Sequence, residues 1–184
     1  MKIFLDTADV LLIKPAYETG LLDGVTTNPS LILKSGRQLL DVIGEIHREF
    51  QTLQSISAEV VADTTEEMLT QAKQYYSIAP AVTIKVPCTV EGLKACKFLT
   101  NTGIQVNVTL VFSVAQAILA SKAGATFISP FVGRWMDNSI DGIGLIKNIR
   151  KAFDYSGTKT QILSASIRDV RQVEQSAQIG RAHV

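Results

Sequence analysis

Cysteine and histidine are scarce in this chain of 184 residues, which contains two of each. Cys88 and Cys96 cannot build the disulfide framework that stabilises small secreted proteins. Two cysteines eight residues apart instead predict reduced thiols in a cytoplasmic enzyme. His47 and His183 supply too few imidazoles for a typical zinc site, so we expect no metal centre.

Neither sign of charge is in excess, because 18 Lys and Arg residues face 17 Asp and Glu residues. This balance excludes nucleic-acid or membrane-surface binding driven by charge alone. Aromatic residues make up 7% of the chain, too few for a surface on which bases stack. No run approaches the ~18 apolar residues that span a bilayer. The N-terminus MKIFLDTADV contains two acids and does not resemble a signal peptide. We therefore expect a cytoplasmic protein.

Short β-rich runs alternate with longer helical stretches, and no Pro- or Ser-rich linker divides the chain. The predicted strands begin roughly 20 to 35 residues apart, which is the spacing of βα units. Seven such units in series predict a parallel sheet, either doubly wound or closed as a (β/α)8 barrel. The seven runs are KIFLD from Lys2, GVTT from Gly24, SAEVV from Ser57, VTIKV from Val82, QVNVTL from Gln105, TFISP from Thr126 and QILSAS from Gln161.

The two faces of these predicted strands differ in polarity. Residues two apart in a strand share a face, and one face is apolar, as at Val106, Val108 and Leu110. An open sheet covered by helices on both sides has little use for polar residues on the other face. A barrel gathers them in one pocket at the C-terminal ends of its strands. The pattern therefore predicts a barrel with a polar active site. The polar residues are Asp6, Thr26, Asn28, Glu59, Lys85, Asn107, Thr109, Ser129, Ser164 and Ser166.

Lys85 is the candidate nucleophile of this predicted pocket. It lies in the apolar run VTIKVP, and desolvation disfavours the charged form of a lysine. A neutral amine can condense with a carbonyl group to form a Schiff base. The alternative is a structural lysine that pairs with Glu59 or Asp6.

Asp6 and Glu59 supply two carboxylates that can act as separate acid and base if their surroundings differ. Their alternative role is a buried ion pair with Lys85, which would contribute little stability. Five further polar residues are candidates for binding sugar hydroxyls or a catalytic water, although each alone is more often an ordinary hydrogen-bonded residue. These are Thr26, Thr27, Asn28, Asn107 and Thr109.

Arg134 and Arg168 follow the last two predicted strands, and with Ser166, two residues before Arg168, they form a candidate phosphate site. The guanidinium group binds phosphate oxygens in a bidentate manner, and the late loops of barrels often hold phosphate. The alternative for Arg134 is a solvated surface arginine.

Six motifs occur in a fixed order up to Gln178. They are LDTAD at Leu5–Asp9, GVTTNPS at Gly24–Ser30, IKVP at Ile84–Pro87, NVTLVFS at Asn107–Ser113, ISPFVGR at Ile128–Arg134 and SASIR at Ser164–Arg168. Together they resemble the transaldolase family, in its short bacterial branch, which also contains fructose-6-phosphate aldolases. The resemblance implies a (β/α)8 barrel and a cofactor-free enzyme of the pentose phosphate pathway. It would transfer a dihydroxyacetone unit from sedoheptulose 7-phosphate or fructose 6-phosphate to glyceraldehyde 3-phosphate or erythrose 4-phosphate.

The resemblance also implies a role for each matching residue. Lys85 would form the Schiff base, and Asp6 would act as acid and base on the substrate hydroxyl. Glu59 and Thr109 would hold the catalytic water. The remaining residues would bind substrate: Asn28, Asn107 and Ser129 the donor, and Arg134, Ser166 and Arg168 its phosphate.

Two positions distinguish the transaldolases from the aldolases of this family. The aldolases are expected to have Gln on strand three and Tyr after the Ser-Pro or Ala-Pro step, whereas this chain has Glu59 and Phe131. A phenyl ring cannot donate the proton that would discharge the three-carbon enamine, so Phe131 favours transaldolase. Fructose-6-phosphate aldolase is the alternative.

The C-terminal residues depart from the family pattern. After Gln178 the chain reads IGRAHV, whereas the family continues with strand eight and helices, and a barrel needs at least ~200 residues. We therefore expect a barrel truncated before strand eight, with one domain over 1–178 and an atypical tail over 179–184. Strands one and seven would have unpaired edges, and His183 would have no function.

The predicted truncation is expected to affect both oligomer assembly and activity. Full-length members are expected to form pentamers or decamers, and their contacts would be weakened here. The partners would be sugar phosphates, with neither nucleic acid nor a membrane among them. A third possibility is a truncated, non-catalytic chain that only binds sugar phosphates.

Overall fold

The computed structural model describes residues 1–180 and 182–183. The chain divides into two compact units. The N-terminal unit is Lys2–Lys85, and the C-terminal unit is Val86–Val184 together with Met1. The boundary falls within a strand, directly after Lys85. One domain over residues 1–178 stays a prediction.

The N-terminal unit is a series of parallel strands joined by helices. Its strands are β1 (Phe4–Asp6), β2 (Gly24–Thr26), β3 (Ser55–Glu59) and the first four residues of β4 (Val82–Pro87). Its helices are α1 (Val10–Glu18), α2 (Pro29–Ser35), α3 (Leu39–Glu49) and α4 (Thr65–Tyr76). Each strand pairs in parallel with the next. The register sets Asp6 beside Thr26 and Glu59 beside Lys85.

Burial of one helix face explains how α3 packs in this unit. Val42, Ile43 and Ile46 recur at the spacing of a helical stripe and are fully buried. Ile56 and Ile84 contribute equally buried side chains from β3 and β4. Each such side chain gains about 1.5–3 kcal/mol on leaving water, so this core fixes the strands that carry Glu59 and Lys85.

The C-terminal unit continues the same alternation. Its strands are β5 (Val106–Val111), β6 (Phe127–Pro130), β7 (Gln161–Leu163) and β8 (Ala182–His183), and they pair in parallel in chain order. Its helices are α5 (Val90–Asn101), α6 (Val114–Lys122), α7 (Val132–Asp137), α8 (Gly142–Ser156) and α9 (Val170–Ile179). Ile143, Ile146, Ile149 and Phe153 form the buried face of α8.

A β-bulge in β5 interrupts the predicted alternation of faces. The pairing with β6 changes register between Val108 and Val111. Leu110 has a φ of 59°, a left-handed conformation that is costly for a side chain of this kind. Leu110 is half-buried, whereas Val106 and Val108 are fully buried. The prediction that these three residues share one regular face is therefore wrong at Leu110.

The end of the chain also requires a correction. An unpaired edge was predicted for strand seven, but Ile162 and Leu163 pair with Ala182 and His183 of β8. The Ser164 N–H donates to the carbonyl oxygen of His183 at 2.7 Å. The His183 imidazole is buried and lies 3.0 Å from the Gln161 side-chain oxygen. A two-residue strand thus satisfies backbone groups that would otherwise lack partners.

All seven predicted strands are present, with bounds that shift by up to three residues. The predicted α/β class of the (β/α)-barrel type is confirmed, because parallel strands alternate with helices and follow chain order in each unit. Among the residues described, no helix is both long and apolar enough to cross a membrane.

Candidate active site

Lys85, the last residue of the N-terminal unit, is buried, and its amine is held by two acceptors. The residue is 7% exposed. Its Nζ lies 2.9 Å from Glu59 Oε2 and 3.3 Å from the carbonyl oxygen of Thr27. The ion pair that was considered from the sequence is therefore present. Burying both charges is costly, and their attraction only offsets this cost, so the pair is weak support for a purely stabilising role.

The Glu59 carboxylate is positioned to exchange a proton with the Lys85 amine. A distance of 2.9 Å lies within the reach of a general base. Adjacent positions on paired strands bring the two side chains together, because Glu59 and Lys85 are in register across β3 and β4. Transfer of the ammonium proton to Glu59 would leave a neutral amine, which is the form that attacks a carbonyl carbon.

Asp6 is the second carboxylate of this unit, and it is more exposed. The Thr26 hydroxyl donates to Asp6 Oδ1 at 2.8 Å, and Asn28 Nδ2 donates to Asp6 Oδ2 at 3.4 Å. Asn28 also caps α2, since its Oδ1 accepts from the N–H of Leu31 at 3.0 Å. The three predicted residues Asp6, Thr26 and Asn28 are thus brought together, with an oriented carboxylate at the strand ends.

The Thr27 side chain forms a hydrogen bond with the backbone of a neighbouring strand. Its hydroxyl donates to the carbonyl oxygen of Ser57 at 2.8 Å, and its N–H donates to the same oxygen at 3.0 Å. Its own carbonyl accepts from Lys85. The structure therefore assigns Thr27 a positioning contact with the lysine, while its predicted substrate contact stays a prediction.

Three predicted residues of the C-terminal unit are buried polar groups on β5 and β6. The Ser129 hydroxyl donates to Asn107 Oδ1 at 2.8 Å, which fixes the orientation of the Asn107 amide. Thr109 is 1% exposed, and its hydroxyl has no hydrogen-bond partner within the described chain. It directly precedes the bulge at Leu110. An unpartnered buried hydroxyl is costly, so this one is available to a water or a substrate oxygen.

Phe131 and Arg134 stack on each other at the start of α7. The Arg134 guanidinium carbon lies 4.8 Å from the centre of the Phe131 ring, a cation–π contact. Phe112 packs edge-on against Phe131 at a centroid distance of 5.6 Å and against Trp135 at 5.8 Å. The aromatic contacts fix the Phe131 ring, while the Arg134 side chain remains exposed to solvent.

Ser166 and Arg168 lie in the loop after β7, and α7 packs against this loop. The N–H of Val132 donates to the carbonyl oxygen of Ala165 at 2.9 Å. Ser166 has a φ of 61°. A Cβ on Gly133 would lie 1.8 Å from the Ser166 carbonyl oxygen, so no larger residue fits there without moving the loop. Arg168 Nη2 donates to Asp137 Oδ2 at 3.0 Å.

Sequence reasoning missed two residues of this region, Gly133 and Asp137. Gly133 lies inside the ISPFVGR motif, and its glycine directly before the arginine was the available signal. Asp137 had no such signal, because an aspartate at the end of a short helix is typical of a solvated surface.

A cavity of about 600 Å³ opens between α8 and the end of α9, and it contains none of the predicted site residues. Its walls are Lys147, Arg150, Lys151, Asp154, Tyr155, Gln178 and Ile179. Arg150 forms a bidentate ion pair with Asp154. Within the described part of the chain, no three His, Cys, Asp or Glu side chains are close enough together to hold a metal ion.

Comparison with known proteins agrees with the six motifs. A family model described as Transaldolase/Fructose-6-phosphate aldolase matches residues 3–184. A probable transaldolase of Paracoccus denitrificans (strain Pd 1222) is 53% identical over 180 residues, which cover 98% of this chain and 82% of that protein. Probable transaldolases of Chelativorans sp. (strain BNC1) and Rhizobium meliloti (strain 1021) are 56% and 52% identical, with the same shares covered. The resemblance to this enzyme family is confirmed.

Proposed function

The chain belongs to the transaldolase/fructose-6-phosphate aldolase family, and on this premise we propose that it is a transaldolase acting through a Schiff base on Lys85. The donor would be a ketose phosphate, fructose 6-phosphate or sedoheptulose 7-phosphate. The acceptor would be an aldose phosphate, glyceraldehyde 3-phosphate or erythrose 4-phosphate. The observation that carries the proposal is the buried Lys85 amine, 2.9 Å from the Glu59 carboxylate.

The first step joins the amine to the substrate. Glu59 accepts a proton from the Lys85 ammonium group, and the neutral amine attacks the ketone carbon to form a carbinolamine. Glu59 then returns this proton to the carbinolamine hydroxyl, which leaves as water and gives the protonated imine. A positioned acid or base accelerates such a step about 10²–10⁴-fold. The unpartnered Thr109 hydroxyl supports a role in holding a water or a substrate oxygen.

The second step breaks a carbon–carbon bond. Asp6 removes the proton from the C4 hydroxyl, the C3–C4 bond breaks, and the aldose leaves. The bond electrons form an enamine with the three carbons bound to Lys85. The contacts from Thr26 and Asn28 orient the Asp6 carboxylate for this proton transfer. The enamine then attacks the acceptor aldehyde, and Asp6 returns the proton to the new hydroxyl. Hydrolysis of the resulting imine releases the product ketose and restores the Lys85 amine.

Two features favour transfer over release of free dihydroxyacetone. The Phe131 ring has no hydroxyl that could protonate the enamine. Position 59 is a carboxylate, which forms an ion pair with the lysine, where an amide could not. Fructose-6-phosphate aldolase is the second candidate, and it would accumulate dihydroxyacetone without an acceptor.

The remaining roles follow the same proposal. Asn107 and Ser129 would bind donor hydroxyls, and Arg134, Ser166 and Arg168 would bind the phosphate. Both cysteines are free thiols, which fits a reducing compartment and supports a cytoplasmic location. A homo-oligomer stays a prediction.

Borohydride trapping tests the proposed function. Fructose 6-phosphate and borohydride should add a reduced three-carbon or six-carbon adduct to Lys85, detected by peptide mass spectrometry. The Lys85→Met variant should take no label, while the Lys122→Met variant, which removes a lysine from the end of α6, should be labelled as the parent is. Labelling of Lys85→Met would refute the assignment. Dihydroxyacetone released without an acceptor would favour the aldolase.

A further inference from the structure

The start of α7 and the loop after β7 form a joined surface in the C-terminal unit. Phe131 forms a parallel bridge with Ala165, and the N–H of Val132 donates to the Ala165 carbonyl oxygen at 2.9 Å. Gly133 packs against the Ser166 backbone with no room for a Cβ. These backbone contacts hold α7 beside the loop, so the side chains that leave the two segments meet at a fixed place.

Asp137 and Arg168 meet on this surface as an exposed ion pair. Arg168 Nη2 lies 3.0 Å from Asp137 Oδ2, and the two side chains are 54% and 53% exposed. The backbone N–H of Arg168 donates to Gln172 Oε1 at 2.8 Å, which anchors the residue independently of its guanidinium group. Gln172 therefore holds the backbone of Arg168, and Asp137 pairs with its guanidinium group.

We propose that Asp137 tunes the affinity for phosphorylated substrates, because it competes with the substrate phosphate for Arg168. This inference rests on the proposed function, in which Arg168 binds phosphate. A phosphate monoester carries nearly two negative charges and can bind the guanidinium fork in a bidentate manner. It displaces the singly charged carboxylate, whereas a sugar without a phosphate group leaves the ion pair intact. The competition therefore lowers the affinity for phosphorylated sugars and leaves the affinity for unphosphorylated ones unchanged.

The size of the effect follows from the exposure of the pair. Exposed ion pairs are weak, and their measured strengths correspond to about a two- to fivefold change in an equilibrium constant. Asp137→Asn keeps the shape of the side chain and removes its charge. We expect it to lower the KM for erythrose 4-phosphate about two- to fivefold, with no comparable change for unphosphorylated erythrose. Glu174→Gln, an equal loss of charge on the exposed side of α9, should change neither KM.

A second measurement uses inorganic phosphate as the probe and requires no turnover. Phosphate should raise the melting temperature of the Asp137→Asn chain at lower concentrations than it does for the parent chain. In the Arg168→Ala background, Asp137→Asn should have no further effect on phosphate binding or on KM. Salt should be kept constant throughout, because screening weakens exposed pairs.

The outcomes separate this inference from the proposed function. Arg168→Ala should raise the KM for erythrose 4-phosphate and weaken stabilisation by phosphate. If it does so while Asp137→Asn leaves the KM unchanged or raises it, the competition is refuted and the phosphate role of Arg168 stands. If Arg168→Ala has no effect on phosphorylated substrates, the phosphate role and the competition are both refuted. In that case the Arg168→Ala variant should still take the borohydride label on Lys85, because the Schiff base does not depend on the phosphate contact.

Discussion

The buried pair of Glu59 and Lys85 makes a sharp prediction about stability. Lys85→Met removes the ammonium group and leaves an apolar chain of similar length. The Glu59 carboxylate, whose side chain is 16% exposed, then has no cation beside it. Removing one partner of a buried pair is far more harmful than removing both, because the remaining charge stays desolvated and uncompensated.

The structure sets the expected magnitude. Breaking a fully buried pair costs about 3–5 kcal/mol, and the partial exposure of Glu59 puts this pair near the lower value, about 3 kcal/mol. For a chain of this size, that loss lowers the melting temperature by about 6–12 °C. The double variant Glu59→Gln/Lys85→Met removes both charges, so it should recover most of the loss.

The assay is a double-mutant cycle in which the free energy of unfolding of each variant is measured by urea denaturation, monitored by far-UV circular dichroism. The matched control is the ion pair of Glu91 and Lys94 on α5, at 2.6 Å but with side chains 35% and 60% exposed. Lys94→Met should change the free energy of unfolding by less than about 1 kcal/mol. The reasoning fails if Lys85→Met is as stable as the parent chain, or if adding Glu59→Gln to it restores nothing.

Two further predictions concern packing and thiol chemistry. Gly133→Ala should force Ser166 away, lower the free energy of unfolding by about 1–3 kcal/mol and weaken phosphate binding; unchanged melting and phosphate titration would contradict the close approach. Burial raises the pKa of the Cys96 thiol to about 12 and also raises the pKa of Cys88, so both react slowly at pH 8. Cys88 is the more exposed, so iodoacetamide should label it before Cys96 in the folded protein, and equal rates would contradict this order.

The sequence by itself determined the βα alternation and the candidate residues for the proposed chemistry. Both depend on local patterns, namely strand periodicity and a polar residue late in an apolar run. Lys85 in VTIKVP is conspicuous because a lysine is costly in such surroundings. Asp6, Thr26 and Asn28 could be grouped because parallel strands end at the same edge. The six sequence motifs indicated the transaldolase family.

Only the tertiary structure decided which side chains are partners. Glu59 and Asp6 were equal candidates to pair with Lys85, and the register of β3 and β4 selected Glu59. The bulge at Leu110 and the two-residue β8 have no periodic signal, because each depends on pairing with a distant strand. Asp137 became relevant only through its contact with Arg168, 31 residues further along the chain. Register and long-range contacts are set by packing across the fold, which local residue patterns do not encode.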